Sequence, residues 1–282
     1  GFKGEGYIVL FARSAFPDFN QSLIDATFGG LVTRFRSTLP PQVSLQALNI
    51  NDFPLELDYF DQNLPFSLLL PEQALITNAL PKRIREFALG RSCLRQALCD
   101  LQYPTTPILT GKMREPLLPR GVSASITHCE AVCAAVAVQQ NTTLQSIGID
   151  CESYTPLDSA LIDYITTPRE QARYLATQEE HTLLFKTLCF EDSLSKQQVT
   201  FSKELWAKLI FSLKESYYKA YFQITGCFLD FLEAEVELDF HQPLAYIKLS
   251  DPSQALNAHK LLGMGCYIIT DGYVLSTVTI AP

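Results

Sequence analysis

One segment of the C-terminal half, FSLKESYYKA (Phe211–Ala220), constrains the fold more than any other part of the chain. Together with the residues just before it, it carries apolar side chains three and four positions apart, the spacing of a helix that buries one face. This stripe consists of Trp206, Leu209, Leu213, Tyr217 and Ala220. Strand-like runs follow at residues 233–238, 244–249, 264–269 and 273–280. The pattern predicts a long helix packed on a small sheet, which is an α+β arrangement.

Two charged residues of the same segment lie on another face of that helix. Glu215 and Lys219 are four positions apart, so their side chains meet on the surface of a helix. One interpretation is a surface ion pair that stabilises the helix by about 0.3–0.5 kcal/mol. The other is a functional pair, and the segment alone does not choose between the two.

The run QSIGIDCE (residues 145–152) predicts a strand with two carboxylates on one face. Because side chains alternate along a strand, Asp150 and Glu152 point one way and Cys151 points into the core. The Cα atoms of the two acids are then about 6.5–7 Å apart. Such a pair is either solvated or neutralised by a cation, and oxygen-rich pairs suit Mg²⁺.

Positive charge is local on an acidic chain. The net charge of −8 makes nucleic acid an improbable partner. Basic residues nevertheless cluster in two groups, which suit a compact anion or form solvated helix faces: Lys82, Arg83, Arg85, Arg91 and Arg95, then Lys112, Arg114 and Arg120. Arg91 interrupts an apolar stripe, so its side chain either extends to water or reaches a bound anion.

The N-terminal half also predicts helices and strands. Residues 6–13 resemble a strand, Pro71 and Pro81 open helices, and residues 122–127 and 132–138 are two further strands. His128 follows the strand at residues 122–127. A lone histidine at such a strand end has either a structural or a functional role, and both interpretations remain open. In the C-terminal half, residues 167–177 predict a helix whose capping box is formed by Thr167 and Glu170, and residues 177–203 are polar and predict a linker.

Amino-acid composition and cysteine spacing indicate the cellular compartment. The chain is 47% hydrophobic and 18% charged, so it can bury a core, and no apolar run approaches the length of a membrane span. Its eight cysteines include no C-x-x-C pair, and Cys129 and Cys133 have no second pair to complete a zinc site. With no secretory leader recognised, we expect a soluble, cytoplasmic protein with reduced thiols.

Three motifs occur in order along the chain: GKMREP…GVSASITH, GIDCE and FSLKESYYKA. Together they resemble the 4′-phosphopantetheinyl transferases of the large two-lobed class, the surfactin and enterobactin type. The segments PKRIREFALGRSCLRQAL and TPREQAR bring the chain nearer to the enterobactin-type branch. The resemblance covers roughly residues 64–240, with weaker similarity at both ends.

The resemblance implies an α+β pseudo-dimer of two similar lobes, each a small antiparallel sheet packed with a long helix. We expect the lobes at residues 1–143 and 144–282, with coenzyme A in the cleft between them. The implied reaction transfers 4′-phosphopantetheine from coenzyme A to a serine of an apo acyl or peptidyl carrier protein, releases 3′,5′-ADP and requires Mg²⁺. Siderophore, nonribosomal peptide, polyketide or fatty-acid synthesis would use the product, and the transferase is expected to be a monomer. The alternative is a non-catalytic homologue that binds coenzyme A or a carrier.

Site residues follow from the matched motifs. Asp150, Glu152 and Glu215 are implied to hold Mg²⁺, with Glu215 and Lys219 as the catalytic residues. The residues implied to bind coenzyme A are Arg91, Lys82, Arg83, Lys112, His128 and Lys214. Thr127 stands where the family usually has serine, and the GKMREP loop is longer than the usual G-K-P segment.

Overall fold

The computed structural model describes residues 31–64, 66–177, 179, 202–239, 241–251, 261–269 and 272–282. The strand predicted at residues 6–13 lies outside these ranges, as does nearly all of the linker predicted at residues 177–203. The helices are α1 (Leu31–Thr38), α2 (Leu70–Gln73), α3 (Pro81–Asp100), α4 (Ile162–Ile165), α5 (Pro168–Ala176) and α6 (Lys203–Thr225). The strands are β1 (Ser44–Asn49), β2 (Val122–Cys129), β3 (Val132–Gln139), β4 (Ser146–Ser153), β5 (Ala234–Leu238), β6 (Leu244–Leu249), β7 (Gly263–Ile269) and β8 (Tyr273–Ile280).

Two antiparallel sheets organise these elements. The first has the strand order β1-β3-β2 and the second the order β4-β8-β7-β6-β5. Helix α3 packs on the first sheet, and α6 packs on the second through β4 and β8. The α+β fold with two lobes is confirmed, although the described parts of the two sheets differ in strand number. The predicted division at residue 143 lies in the connection between β3 and β4.

The long helix α6 has the apolar stripe that the sequence predicts. Every member of the stripe is at most 2% exposed: Trp206, Leu209, Leu213, Tyr217 and Ala220. Ser202 caps its N-terminus by accepting a hydrogen bond from the Leu205 N–H, and Gly226 ends it with a φ of 65°. The capping box predicted for α5 is also present, because the Thr167 and Glu170 side chains each accept from the other's backbone N–H.

Strand β4 lies between the two lobes, and its faces differ as predicted. Ile147, Ile149 and Cys151 belong to the hydrophobic core of the first lobe. The opposite face lies so close to α6 that a Cβ on Gly148 would be 1.9 Å from the Ser216 carbonyl oxygen. Only glycine permits this approach, and it sets the distance between the carboxylates of β4 and the charged residues of α6.

We expect Gly148→Ala to destabilise the protein. The clashing atoms are backbone, so α6 must shift, and overpacking of this kind typically costs about 1–3 kcal/mol. Urea denaturation measures the loss in the free energy of unfolding. A Gly272→Ala control, where nothing lies within 4 Å of the added Cβ, should stay within about 0.5 kcal/mol of the wild type. Equal midpoints for both variants would contradict the close approach of α6.

Within the described residues, no helix is long and apolar enough to cross a membrane. The cysteines that the structure describes all carry free thiols: Cys93, Cys99, Cys129, Cys133, Cys151, Cys227 and Cys266. The eighth, Cys189, lies outside the described residues.

Candidate active site

A cleft of about 900 Å³ lies between the lobes. Helix α3, strand β2 and the connection before β2 line one side, and the C-terminal half of α6 lines the other. This volume is within the range of about 300–1,000 Å³ that small-molecule sites occupy. Its walls carry five of the ten predicted site residues: Arg83, Arg91, Lys112, His128 and Lys219.

The cleft is positively charged although the protein is acidic. Its lining has six Lys or Arg side chains and two Glu side chains. The basic ones are Arg83, Arg91, Lys112, Arg114, Arg120 and Lys219, and the acidic ones are Glu86 and Glu115. Because the low-dielectric walls of a cleft concentrate the electric field, this lining favours an anionic ligand.

Arg91 is buried, so the interpretation in which its side chain extends to water is wrong. It is 5% exposed, its Nε donates to the Ile108 carbonyl at 2.8 Å, and its Nη2 donates to Thr110 Oγ1 at 3.2 Å. The guanidinium carbon lies 4.4 Å from the centre of the Phe87 ring. Burial lowers the pKa of Arg91 to about 10, so the group keeps its charge at neutral pH. Among the described residues, no acceptor contacts its Nη1.

His128 and Arg83 meet at the end of β2, where Arg83 Nη1 lies 3.4 Å from His128 Nε2. Desolvation of the imidazole lowers the pKa of His128 below its ordinary value, and the positive charge of Arg83 acts in the same direction. Lys112 lies in the lining, on a short hairpin whose ends pair at Thr110 and Pro116. Lys82 does not line the cleft, and its exposed ammonium is 3.9 Å from Glu86.

Three carboxylates gather beside Lys219, where β4 meets α6. Asp150 is buried, and its Oδ1 accepts hydrogen bonds from Lys219 Nζ at 2.7 Å and Thr127 Oγ1 at 3.4 Å. Its Oδ2 is buried and has no hydrogen-bond partner among the described residues. Glu152 Oε2 accepts from Lys208 Nζ at 3.2 Å. Glu215 is half-buried, and within the described ranges no group donates a hydrogen bond to it.

The carboxylates affect one another electrostatically. Burial raises the pKa of Glu152, and the charge of Asp150 raises it further. Burial also raises the pKa of Glu215. The positive charge of Lys219 lowers this pKa, whereas the negative charges of Asp150 and Glu152 raise it further. A buried group of like charges is expensive unless a cation neutralises it. Lys219 and Lys208 supply part of that neutralisation in this structure.

The three carboxylates meet only some of the requirements of a divalent-cation site. In the part of the chain that the structure describes, no three His, Cys, Asp or Glu side chains stand close enough together to hold a metal ion as they are. The donor types do fit Mg²⁺, which prefers carboxylate oxygens. Among the described residues, the buried Oδ2 of Asp150 has no hydrogen-bond partner, so this oxygen could bind a cation.

The structure places Lys214, which the sequence predicts to contact coenzyme A, inside the second lobe and outside the cleft lining. Its side chain is 1% exposed, and its Nζ donates 2.8 Å hydrogen bonds to Glu170 Oε2 and to the carbonyls of Ile165 and Phe231. These bonds use all three donors of an ammonium group. Lys214 therefore stabilises the second lobe from inside, because its direction on α6 differs from that of its neighbour Glu215.

Sequence reasoning missed two polar residues of α6 at this site. Lys208 stands seven positions before Glu215, and Gln223 stands four positions after Lys219, so both lie on the same helix face. Lys208 pairs with Glu152, and Gln223 lines the cleft. The helical spacing was the available signal for both.

Comparisons with known proteins bear on this site. A family model of the 4′-phosphopantetheinyl transferase N-terminal domain matches residues 71–138, and a model of the 4′-phosphopantetheinyl transferase superfamily matches residues 146–278. The chain is 33% identical over 219 residues to the 4′-phosphopantetheinyl transferase Svp of Streptomyces mobaraensis, covering 77% of this chain and 80% of that protein. The chain belongs to the 4′-phosphopantetheinyl transferase superfamily.

Two further relatives agree with this assignment. The phosphopantetheinyl transferase Npt of Nocardia iowensis is 30% identical over 74% of this chain and 88% of its own length. Enterobactin synthase component D of Escherichia coli O157:H7 is 36% identical over 108 residues, which cover 38% of this chain and 50% of that protein. The resemblance inferred from the three motifs is confirmed, and with it the prediction that the chain is a transferase of the holo-acyl-carrier-protein synthase type.

Proposed function

We propose that this phosphopantetheinyl transferase moves 4′-phosphopantetheine from coenzyme A to a serine of an apo acyl or peptidyl carrier protein and releases 3′,5′-ADP, in a reaction that requires Mg²⁺. The observation that carries the proposal is the cleft between the lobes, which is lined by six cationic side chains, one of which, Lys219, pairs with Asp150 and is near enough to Glu152 and Glu215 to influence their pKa values. A polyphosphate substrate needs the first feature, and transfer at a phosphorus atom needs the second.

Coenzyme A fits the basic part of the cleft. Arg91 and Arg83 offer planar guanidinium groups suited to a phosphate, such as the 3′-phosphate of the adenosine. Lys112 lies near them on its hairpin and is assigned to the adenine nucleotide. His128, next to Arg83, is assigned to a phosphate of the substrate. The proposal leaves out Lys82, which is not in the lining, and Lys214, which is buried.

Asp150, Glu152 and Glu215 would hold the Mg²⁺ ion. When bound, the ion supplies charge neutralisation and a template for the pyrophosphate of the substrate. Each lysine bonds only one oxygen of its carboxylate: Lys219 bonds Asp150 Oδ1 and Lys208 bonds Glu152 Oε2, while Asp150 Oδ2 has no partner among the described residues. Lys219 also lines the cleft, where it would contact the phosphate of the substrate.

The residues of this chain align and neutralise the reacting groups, which is most of what phosphoryl transfer requires. The serine Oγ of the carrier attacks the phosphorus that bears the pantetheine, and the bond from this phosphorus to the oxygen of 3′,5′-ADP breaks. Glu215, whose pKa is raised by burial, takes the proton from the serine hydroxyl. Lys219 neutralises the negative charge on the phosphate oxygens, and no residue of the chain becomes covalently modified.

The test is incubation with coenzyme A, Mg²⁺ and a panel of apo carrier proteins from fatty-acid, polyketide, nonribosomal peptide and siderophore synthesis. We expect a phosphopantetheine mass gain on at least one carrier and loss of that gain when the metal is chelated. No gain across the panel would contradict the proposal. We place the reaction in the cytoplasm. We also assign it to a monomer, and light scattering would check this by measuring the molar mass of the active protein.

A second candidate function is binding without turnover. The observation that favours it is the pairing of Asp150 and Glu152 with lysines, which leaves no metal-binding group formed among the described residues. Tight binding of coenzyme A by calorimetry, with no mass gain on any carrier, would support this function instead.

Replacing Lys112 and, separately, Lys82 tests which of these two lysines contacts coenzyme A. Because Lys112 lines the cleft and Lys82 does not, we expect Lys112→Met to raise the KM for coenzyme A about three- to tenfold, which corresponds to roughly 1 kcal/mol of lost binding. Lys82→Met is the matched control and should leave the KM unchanged. Steady-state assays at several coenzyme A concentrations measure both, and equal effects would remove Lys112 from the site.

A further inference from the structure

Gln223, on the last turns of α6, has every polar atom of its side chain engaged. Its Oε1 accepts hydrogen bonds from Ser123 Oγ at 2.8 Å and from the Ala124 N–H at 3.1 Å. Its Nε2 donates to the carbonyls of Ile147 and Lys219, both at 2.9 Å. The amide thus has two bonds on its oxygen and two on its nitrogen, the full capacity of the group. These bonds join three elements: β2 of the first lobe, β4 and α6.

The bonds lie where the two sheets meet. β4 is an edge strand of its sheet, and its outer edge faces β2 without a backbone ladder. Side chains supply the missing partners of this edge. Ser123 Oγ and Thr127 Oγ1 of β2 accept from the N–H groups of Ile147 and Cys151, at 2.8 and 3.0 Å.

The carbonyls of the same edge are bound from α6. Gln223 Nε2 binds the Ile147 carbonyl, and Lys219 Nζ binds the Ile149 carbonyl at 3.0 Å. Four residues along a helix rise about 6.0 Å, and two residues along a strand advance about 6.7 Å. Gln223 and Lys219 are therefore in register with alternate carbonyls of β4, and a shift at one displaces the other.

We propose that Gln223 is a positioning residue, which fixes the distance between the lobes across the cleft and thereby directs Lys219 at the reacting phosphate. The cations that line the cleft stand on both lobes, Arg83 and Arg91 on one and Lys219 on the other, so an anion bound there would contact both. The amide of Gln223 is the group that ties β2 to the turn of α6 that carries Lys219. The claim that Gln223 directs Lys219 at the phosphate rests on the proposed transfer reaction. The claim that Gln223 joins the two lobes does not depend on that reaction.

The kinetic test compares three variants. Gln223→Met keeps the length of the side chain and removes all four hydrogen bonds, whereas Gln223→Glu keeps the acceptor half and turns an oxygen toward the carbonyls of Ile147 and Lys219. Gln46→Met is the matched control, because Gln46 is 8% exposed and hydrogen-bonds Asp100 in the first lobe, away from the cleft.

We expect Gln223→Met and Gln223→Glu to lower kcat about 10- to 100-fold, since a misplacement of about 1 Å can cost a factor of 100. The KM for coenzyme A should change less than threefold in both, because the cations of the first lobe remain. Gln46→Met should retain the kcat of the wild type. Wild-type kcat in either Gln223 variant, or an equal fall in the control, would overturn the positioning role.

Amide hydrogen exchange followed by mass spectrometry tests whether Gln223 joins the two lobes, and it needs no catalytic turnover. We expect Gln223→Met to increase exchange in peptides from β2 and β4, and Gln46→Met to leave these peptides at wild-type protection. Unchanged exchange in β2 and β4 would overturn the inference that Gln223 joins the lobes. If the wild type modifies no carrier, the proposed function fails, and the exchange result alone then decides whether Gln223 holds the lobes together.

Discussion

Replacing Glu215 with Gln is expected to abolish phosphopantetheine transfer. Glutamine has nearly the same size and shape as glutamate, but it lacks the charge that would hold a divalent cation and the basicity that would accept the serine proton. Since the proposed reaction uses both properties, we expect kcat to fall at least about 100-fold, the lower end of what a general base contributes.

The same change should not weaken the fold. Burial and the neighbouring carboxylates raise the pKa of Glu215 in the folded protein, so the folded state binds its proton more tightly than the unfolded state does. At pH values above the folded-state pKa the ionised carboxylate therefore lowers the stability of the native state. A neutral glutamine removes this cost, and within the described residues Glu215 has no hydrogen bond to lose.

Mass spectrometry of an apo carrier measures the transfer, and thermal unfolding of the variant measures its stability. Glu237→Gln is the control, because Glu237 is an exposed carboxylate that pairs only loosely with Arg173, at 3.7 Å. It should leave the transfer rate unchanged. A Glu215→Gln variant with full activity would remove Glu215 from the site, and one that is inactive because it unfolds would contradict the electrostatic argument.

Lys214→Met is expected to cause the largest loss of stability. The ammonium of Lys214 and the carboxylate of Glu170 are each 1% exposed and lie 2.8 Å apart. Removing the cation leaves Glu170 buried without its counter-charge, a change that typically costs about 3–5 kcal/mol. The carbonyls of Ile165 and Phe231 lose a donor as well.

The outcome for substrate binding distinguishes this role from the one that the sequence predicts. If Lys214 contacted coenzyme A, Lys214→Met would raise the KM and leave the midpoint of urea denaturation near that of the wild type. We expect the opposite, a lower midpoint and an unchanged KM for the protein that remains folded. Lys248→Met, at an exposed position of β6, is the control and should change neither quantity.

Much of the fold could be predicted because the spacing of apolar residues reports which side of an element is buried. The stripe on α6, the alternation along β4, the capping box of α5 and the four strands β5–β8 are all present close to their predicted positions. The carboxylates of Asp150 and Glu152 were placed on the correct face by the same alternation.

The direction of individual cations could not be predicted in this way. Lys214 and Glu215 are neighbours in the chain, but adjacent residues of a helix are about 100° apart around its axis. Lys214 consequently enters the second lobe, where Glu170 of α5 receives it, while Lys219 faces Asp150. The sequence predicts Glu170 only as half of a capping box, and its second role depends on the packing of α5 against α6.

Hydrophobic periodicity and ordered motifs are local properties, so they are enough to predict most of the described helices and strands, the two-lobed α+β class and the family. The positions of the charged residues of FSLKESYYKA depend instead on how the elements pack. Packing β4 against α6 at Gly148 brings Glu215 and Lys219 to the carboxylates of β4 and sends Lys214 into the core. That division depends on which elements lie on each side of the helix, and contacts between residues tens of positions apart leave no local pattern.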